Sequence, residues 1–143
     1  MDDRSIELIE QEMTLLVRRV TSIASDRRFS ALDRSAYLLL NQLSTLGPSG
    51  VKALAEEFRL DISTVSRQVA ALEQKGFVVR IPDPQDGRAF TFRLTESGAA
   101  ALSEYKQMRL EWIQALLEDW SEEERSSFGR LLGKFNQMFS KVL

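Results

Sequence analysis

The chain has 143 residues, the size of one domain, with 43% hydrophobic and 28% charged residues, as in an ordinary globular protein. It contains neither cysteine nor histidine, which excludes disulfides, thiol redox sensing, the usual zinc sites and histidine acid–base catalysis, so no metal and no cofactor are expected. No run approaches the ~20 apolar residues of a membrane helix, and the acidic, periodic start MDDRSIELIEQEM is not a signal peptide; a cytoplasmic protein without a membrane partner is expected.

Net charge is −2, which by itself argues against a nucleic-acid partner. Its distribution is more informative. Residues 47–95 carry seven Lys/Arg and six acids, whereas both flanks are net negative. Any case for DNA therefore rests on where the cations stand.

In chain order, Ile6, Ile9, Met13, Leu16, Val17, Val20 and Ile23 recur at steps of three and four, which predicts an amphipathic helix over 4–25. Asp33 is placed to cap a second helix with Ala36, Leu39, Leu40, Leu43 and Leu46 on one stripe, ended by Gly47-Pro48. SGVKALAEEF reads as a short third helix with Val51, Leu54, Ala55 and Phe58 inward, and RLD as a tight turn. Asp61 then stands as N-cap of a fourth, ISTVSRQVAALEQ, whose stripe is Ile62, Val65, Val69 and Leu72. Gly76 takes the left-handed position after it.

From here the period changes from 3.6 to 2. Phe77, Val79 and Ile81 alternate with Val78 and Arg80; beyond DPQDG, Phe90, Phe92 and Leu94 alternate with Thr91 and Arg93. The pattern predicts a two-stranded hairpin with one apolar face, its pairing limited at the tip by Pro82 and Pro84. Thr95 opens a long helix to about residue 119. Ser121 and Glu124 form a capping box that starts the last helix, with Phe128, Leu131, Leu132, Phe135, Met138, Phe139 and Val142 on it.

Short helix, tight turn, helix and hairpin, in that order, make a helix-turn-helix followed by a wing. Such a second helix enters the DNA major groove. Opposite its apolar stripe the fourth helix shows Ser63, Thr64, Arg67, Ala71 and Gln74, flanked by Ser66 and Gln68, with no acid between Asp61 and Glu73. Arginine takes guanine O6/N7, glutamine takes adenine N6/N7, and hydroxyls reach bases or phosphates. Solvated helix surfaces favour Glu and Lys instead, and Ser and Thr are poor helix formers, so this face needs a reason other than solubility. At the hairpin tip Arg88 suits a narrow, electronegative minor groove. Asp83 and Asp86 repel DNA by charge; their expected work is local, bonding turn backbone, with Asp86 anchoring or orienting an arginine.

The stretch LAEEFRLDISTVSRQVAALEQKGFVVRIPDPQDGRAFTFRLTESG resembles the winged-helix core of the MarR family of bacterial transcriptional regulators. The carriers are Leu54-Ala55, Ser63-Thr64-Val65-Ser66-Arg67, Leu72-Glu73, Gly76-Phe77, Asp83, Asp86, Arg88, Leu94-Thr95 and Gly98. Each piece alone is weak; the ordered set is specific and spans about a third of the chain.

The resemblance implies a mainly α fold with a small β-hairpin wing (α+β). A winged helix-turn-helix core, residues 31–95, is flanked by dimerisation helices at 1–30 and 96–143, in one intertwined domain. It further implies a homodimer on a pseudo-palindromic, inverted-repeat operator in double-stranded DNA, usually a repressor released by a small molecule. DNA contacts carry over onto Ser63, Thr64, Ser66, Arg67 and Gln68, and the wing residues onto Asp86 and Arg88. The abundance of large apolar residues on the terminal helices agrees with dimerisation, the common two-fold outcome.

Some members of that family sense oxidants through cysteine, and others metals through histidine and cysteine; with both residue types absent, the resemblance leaves either no effector or a small organic effector, phenolic or drug-like. Arg18, Arg19, Phe29, Tyr37 and Trp112 are assigned to a cleft for it between the dimer helices and the winged region. Two other classes compete. An enzyme is disfavoured, because no nucleophile–base pair, metal cluster or phosphate-cradling glycine loop is present. A winged helix that binds protein instead of DNA suits the overall acidity but not the Ser/Thr/Arg/Gln face.

Overall fold

The structure is a computed structural model and describes residues 4–24 and 32–142. Among these, six helices and one two-stranded antiparallel sheet follow in the order α1 (Arg4–Ala24), α2 (Arg34–Leu46), α3 (Val51–Phe58), α4 (Ile62–Gln74), β1 (Val78–Pro82), β2 (Phe90–Leu94), α5 (Glu96–Leu116) and α6 (Glu122–Val142). The fold is thus mainly α with a small β-hairpin, as the sequence implies. The chain divides into two compact units, Met1–Lys106 and Gln107–Leu143, with the boundary inside α5. No helix among the described residues is long and apolar enough to cross a membrane.

The first unit owes its order to well-terminated helices around a dry core. Asp33 caps α2: its Oδ1 accepts from the Ala36 N–H at 2.8 Å. This directs Ala36, Leu39, Leu40 and Leu43 into the core with Leu54 and Ala55 of α3 and Val65, Val69 and Leu72 of α4. Leu40 and Val65 are wholly buried, and each such side chain contributes roughly 1.5–3 kcal/mol. Between α3 and α4 the chain turns at Arg59, a non-glycine residue in the left-handed region (φ 53°). Asp61 holds the N-cap position of α4 and its carbonyl accepts from the Val65 N–H, but its carboxylate makes no cap bond. The expected side-chain cap is absent there.

α4 ends as its glycine predicts. With Gly76 at φ +80°, its N–H reaches the Glu73 carbonyl and the Phe77 N–H reaches that of Leu72, which is the Schellman pattern. The pattern also corrects the expected hairpin face. Because the turn holds Phe77 against the helix end, the strand begins at Val78, and Val78 is the buried residue of β1. The register pairs Val78 with Leu94, Arg80 with Phe92 and Pro82 with Phe90. In an antiparallel pair, partners share a face, so Val78 joins Phe92 and Leu94 inward. Val79 and Ile81, expected inward, are half-buried on the other face. Arg80 tolerates the inward register because its head leaves the core for the rim.

A bridge between Ser49 and Phe92 extends the hairpin sideways to the segment before α3. At the hairpin base Thr95 caps α5: its Oγ1 accepts from the Gly98 N–H at 3.0 Å and donates to the Gly76 carbonyl at 2.6 Å. Gly98 is buried there. A Cβ at this position would stand 1.9 Å from the Phe77 carbonyl oxygen, so only glycine lets α5 approach so closely.

In the second unit α5 ends at Leu116, short of the expected 119, and a turn leads to α6. The capping box is present in full. Ser121 Oγ accepts from the Glu124 N–H at 3.1 Å, and Glu124 Oε1 accepts from the Ser121 N–H at 2.9 Å.

Candidate nucleic-acid interface

Three rows of side chains run along α4. Val65, Val69 and Leu72 face the core. A second row, Ser63, Arg67, Ala71 and Gln74, is exposed to solvent. Thr64 and Gln68 sit half-buried at its margin. The polar face expected from the sequence therefore exists as a continuous exposed surface, with Arg67 at its middle and hydroxyls towards the N-terminal end. The third row is Ile62, Ser66, Ala70 and Glu73; Ile62, expected on the inward stripe, is exposed here because at the first position of α4 it lies to one side of the Val65–Val69–Leu72 row.

This third row borders an open groove of about 720 Å³ between α3, α4 and the hairpin. Lys52 of α3, Ile62, Ser66 and Ala70 of α4, and Arg80 and Phe90 of the hairpin line it. Ser66 thus belongs to both the reading helix and the groove beside the wing.

At the wing tip the aspartates are consumed by the turn. Asp83 Oδ1 accepts from the Gln85 N–H at 2.9 Å, and the Asp83 N–H donates to the Ala89 carbonyl at 3.0 Å. Asp86 Oδ1 accepts from the Arg88 N–H at 3.1 Å, while its carbonyl accepts from the Ala89 N–H at 3.0 Å. Asp86 therefore anchors Arg88 through the main chain rather than through the guanidinium. A short side chain that bonds backbone two residues on is the device that stiffens such turns. Arg88 is left exposed on a defined turn.

One residue escaped the sequence reading, where Arg80 was simply the polar alternate of a strand. Its Nε stands 3.4 Å from Glu73 Oε2, its Nη2 donates to Glu73 Oε1 at 3.4 Å, and its Cζ lies 5.1 Å and 5.5 Å from the Phe90 and Phe92 ring centres. The available signal was an arginine in the same alternation class as a buried valine, following a helix-end glutamate.

Of the residues assigned to an effector cleft, Tyr37 is half-buried in the first unit, its ring 4.6 Å from that of Tyr105. Arg18 and Arg19 are exposed on α1, Trp112 is half-buried on the second-unit part of α5, and Phe29 lies outside the described residues.

Comparison with known proteins agrees with this geometry. Residues 32–90, the helix-turn-helix and most of the wing, match the MarR family model. The Bacillus subtilis (strain 168) protein named uncharacterized HTH-type transcriptional regulator YxaD is 47% identical over 135 residues, covering 94% of each chain. Among solved structures, a MarR family protein from Bacillus stearothermophilus superimposes with a TM-score of 0.85 at 24% identity, covering 98% of this chain and 99% of that one. Streptococcus pneumoniae FabT, solved in complex with DNA, has a TM-score of 0.71 at 20% identity and covers 99% of this chain and all of its own. A helix-turn-helix with a polar reading face, a wing tipped by arginine and relatives of this kind place the chain in the MarR family of DNA-binding transcriptional regulators.

Proposed function

We propose that the protein is a sequence-specific repressor acting in the cytoplasm, binding an inverted-repeat operator as a homodimer and leaving it when a small organic effector binds. The observation that carries the reading is the acid-free outer row of α4, Ser63 to Gln74 with Arg67 at its centre, beside a wing that holds Arg88 on a stiff turn. In this reading Arg67 takes a guanine edge, Ser63, Thr64, Ser66 and Gln68 serve bases and phosphates, and Arg88 enters the minor groove next to the helix. Asp86 contributes by shaping the turn. FabT, which was solved with DNA, supports the same use of the fold.

The dimer rests on residues 1–30 and 96–143. The apolar side chains of α1 and α6 are exposed in the single chain, and contiguous apolar patches of this kind mark protein interfaces. Release is assigned to a phenolic or drug-like effector in contact with Arg18, Arg19, Phe29, Tyr37 and Trp112. Repression is the family's commoner mode.

Selection of binding sites from random duplex DNA tests this reading. The expected product is an inverted repeat with half-sites roughly 10 base pairs apart. Replacing Arg88 by alanine is expected to weaken operator binding strongly with fold and dimer intact, and unchanged affinity would overturn its placement in the minor groove. Failure of the folded protein to enrich any duplex would favour a winged helix that binds protein.

A further inference from the structure

We propose that Arg80 is a positioning residue. By clasping Glu73 while lying over Phe90 and Phe92, it fixes the wing to the C-terminal turn of α4, so that reading helix and wing meet DNA as one preset unit. Its consequence for DNA rests on the reading above; the clasp itself is a property of the free protein.

The need for such a clasp follows from how the hairpin is held. A two-stranded hairpin is at best marginally stable alone. On one side β2 is secured by main chain: Phe92 exchanges two hydrogen bonds with Ser49, at 2.9 and 3.2 Å. Among the described residues β1 pairs only with β2. Its tie to α4 at the level of Phe92 is the side chain of Arg80, whose guanidinium reaches Glu73 with two nitrogens while lying over two rings. Arg80 stands two residues from Pro82, where the ladder ends, so the clasp lies near the tip that carries Arg88. Two DNA-contacting elements linked at a fixed spacing bind with a high effective concentration. A loose wing forfeits part of that gain.

The test uses Arg80→Gln, Arg80→Lys, Glu73→Gln and the double variant Glu73→Gln/Arg80→Gln in the full chain. In the free protein, amide exchange at Asp83 and Ala89, whose N–H groups close the wing turn, is expected to speed up in Arg80→Gln and Glu73→Gln relative to α4 amides. Arg80→Lys, which keeps the charge but loses the two-nitrogen reach and the planar stacking, is expected to fall between wild type and Arg80→Gln. On the selected duplex, Arg80→Gln is expected to bind about three- to tenfold more weakly, the scale of an exposed ion pair with a cation–π contact, and Glu73→Gln, which keeps the ring contacts, about two- to fivefold. The double variant is expected to be no worse than Arg80→Gln, and the salt slope is expected not to change. A slope reduced by about 0.9 in Arg80→Gln would instead make Arg80 a phosphate contact and overturn the proposal, as would wild-type affinity in Glu73→Gln. Were the wild type to bind no duplex at all, the DNA-binding reading would fall. The exchange measurement would still decide the clasp, and equal wing exchange in wild type and Arg80→Gln would overturn it.

Discussion

The two units use the same apolar residues to opposite ends. In the first, Leu39, Leu40, Leu43, Leu54, Val65, Val69 and Leu72 are withdrawn from water by neighbours in the same chain. In the second, α6 carries Phe128, Leu131, Leu132, Phe135, Met138 and Phe139 at helical spacing, yet every one is 40% exposed or more. Periodicity alone does not distinguish them, since an amphipathic stripe reports that a face is to be covered and not by what. The winged-helix unit contains its own cover. The C-terminal unit, like α1 in the first, holds its apolar face open, and the proposed homodimer would cover it.

The sharpest way to break this contrast is to delete a buried side chain in the first unit. Leu40→Ala is expected to cost about 2–5 kcal/mol, seen as a fall in melting temperature that does not vary with protein concentration. A concentration-dependent loss would mean that the core also depends on the partner. For the open face, Phe135→Glu is expected to weaken dimerisation about a hundredfold or more, roughly 2.7 kcal/mol. Sedimentation at micromolar concentration checks it, and an unchanged dimer would place the interface elsewhere.

Arg67→Ala comes next. It is expected to cost on the order of 1–3 kcal/mol on the selected operator and to relax one base position; equal losses on operator and random duplex would make Arg67 a phosphate contact. The smallest effect concerns the turn between α3 and α4. Arg59 there adopts a conformation glycine takes freely, and Arg59→Gly is expected to stabilise the fold by up to about 1 kcal/mol. If DNA affinity drops in that variant, the strain is retained because the arginine is used.

Local features of the fold were the legible ones. Asp33, the Ser121/Glu124 box and Gly76 each act within a few residues of themselves, so spacing suffices to place them, and all three do what their spacing predicts. The polar row of α4 was legible for the same reason. The inward face of β1 was not. The run Phe77-Val78-Val79-Arg80-Ile81 has apolar residues in both alternation classes, and the choice was made by the turn that ties Phe77 back to α4. Asp61 shows the other limit: its residue type and place suit a cap, yet its side chain does not form one. The Arg80–Glu73 contact joins two elements whose approach depends on the whole hairpin packing, and no local rule contains it. The aspartates of the wing fall between: their turn chemistry was readable, but not that Asp86 would hold Arg88 by its N–H.

The hydroxyl of Thr95 has a consequence for the length of the wing. By bonding the Gly76 carbonyl, 19 residues back, it pins the end of the reading helix to the start of α5. The wing is thereby an excursion between two stationary points. Closing a flexible loop costs only about 0.6 kcal/mol more for each doubling of its length. Residues added at the tip would therefore cost little in chain closure beyond the loss of the Asp83 and Asp86 turn bonds, while the helix beside it keeps its place.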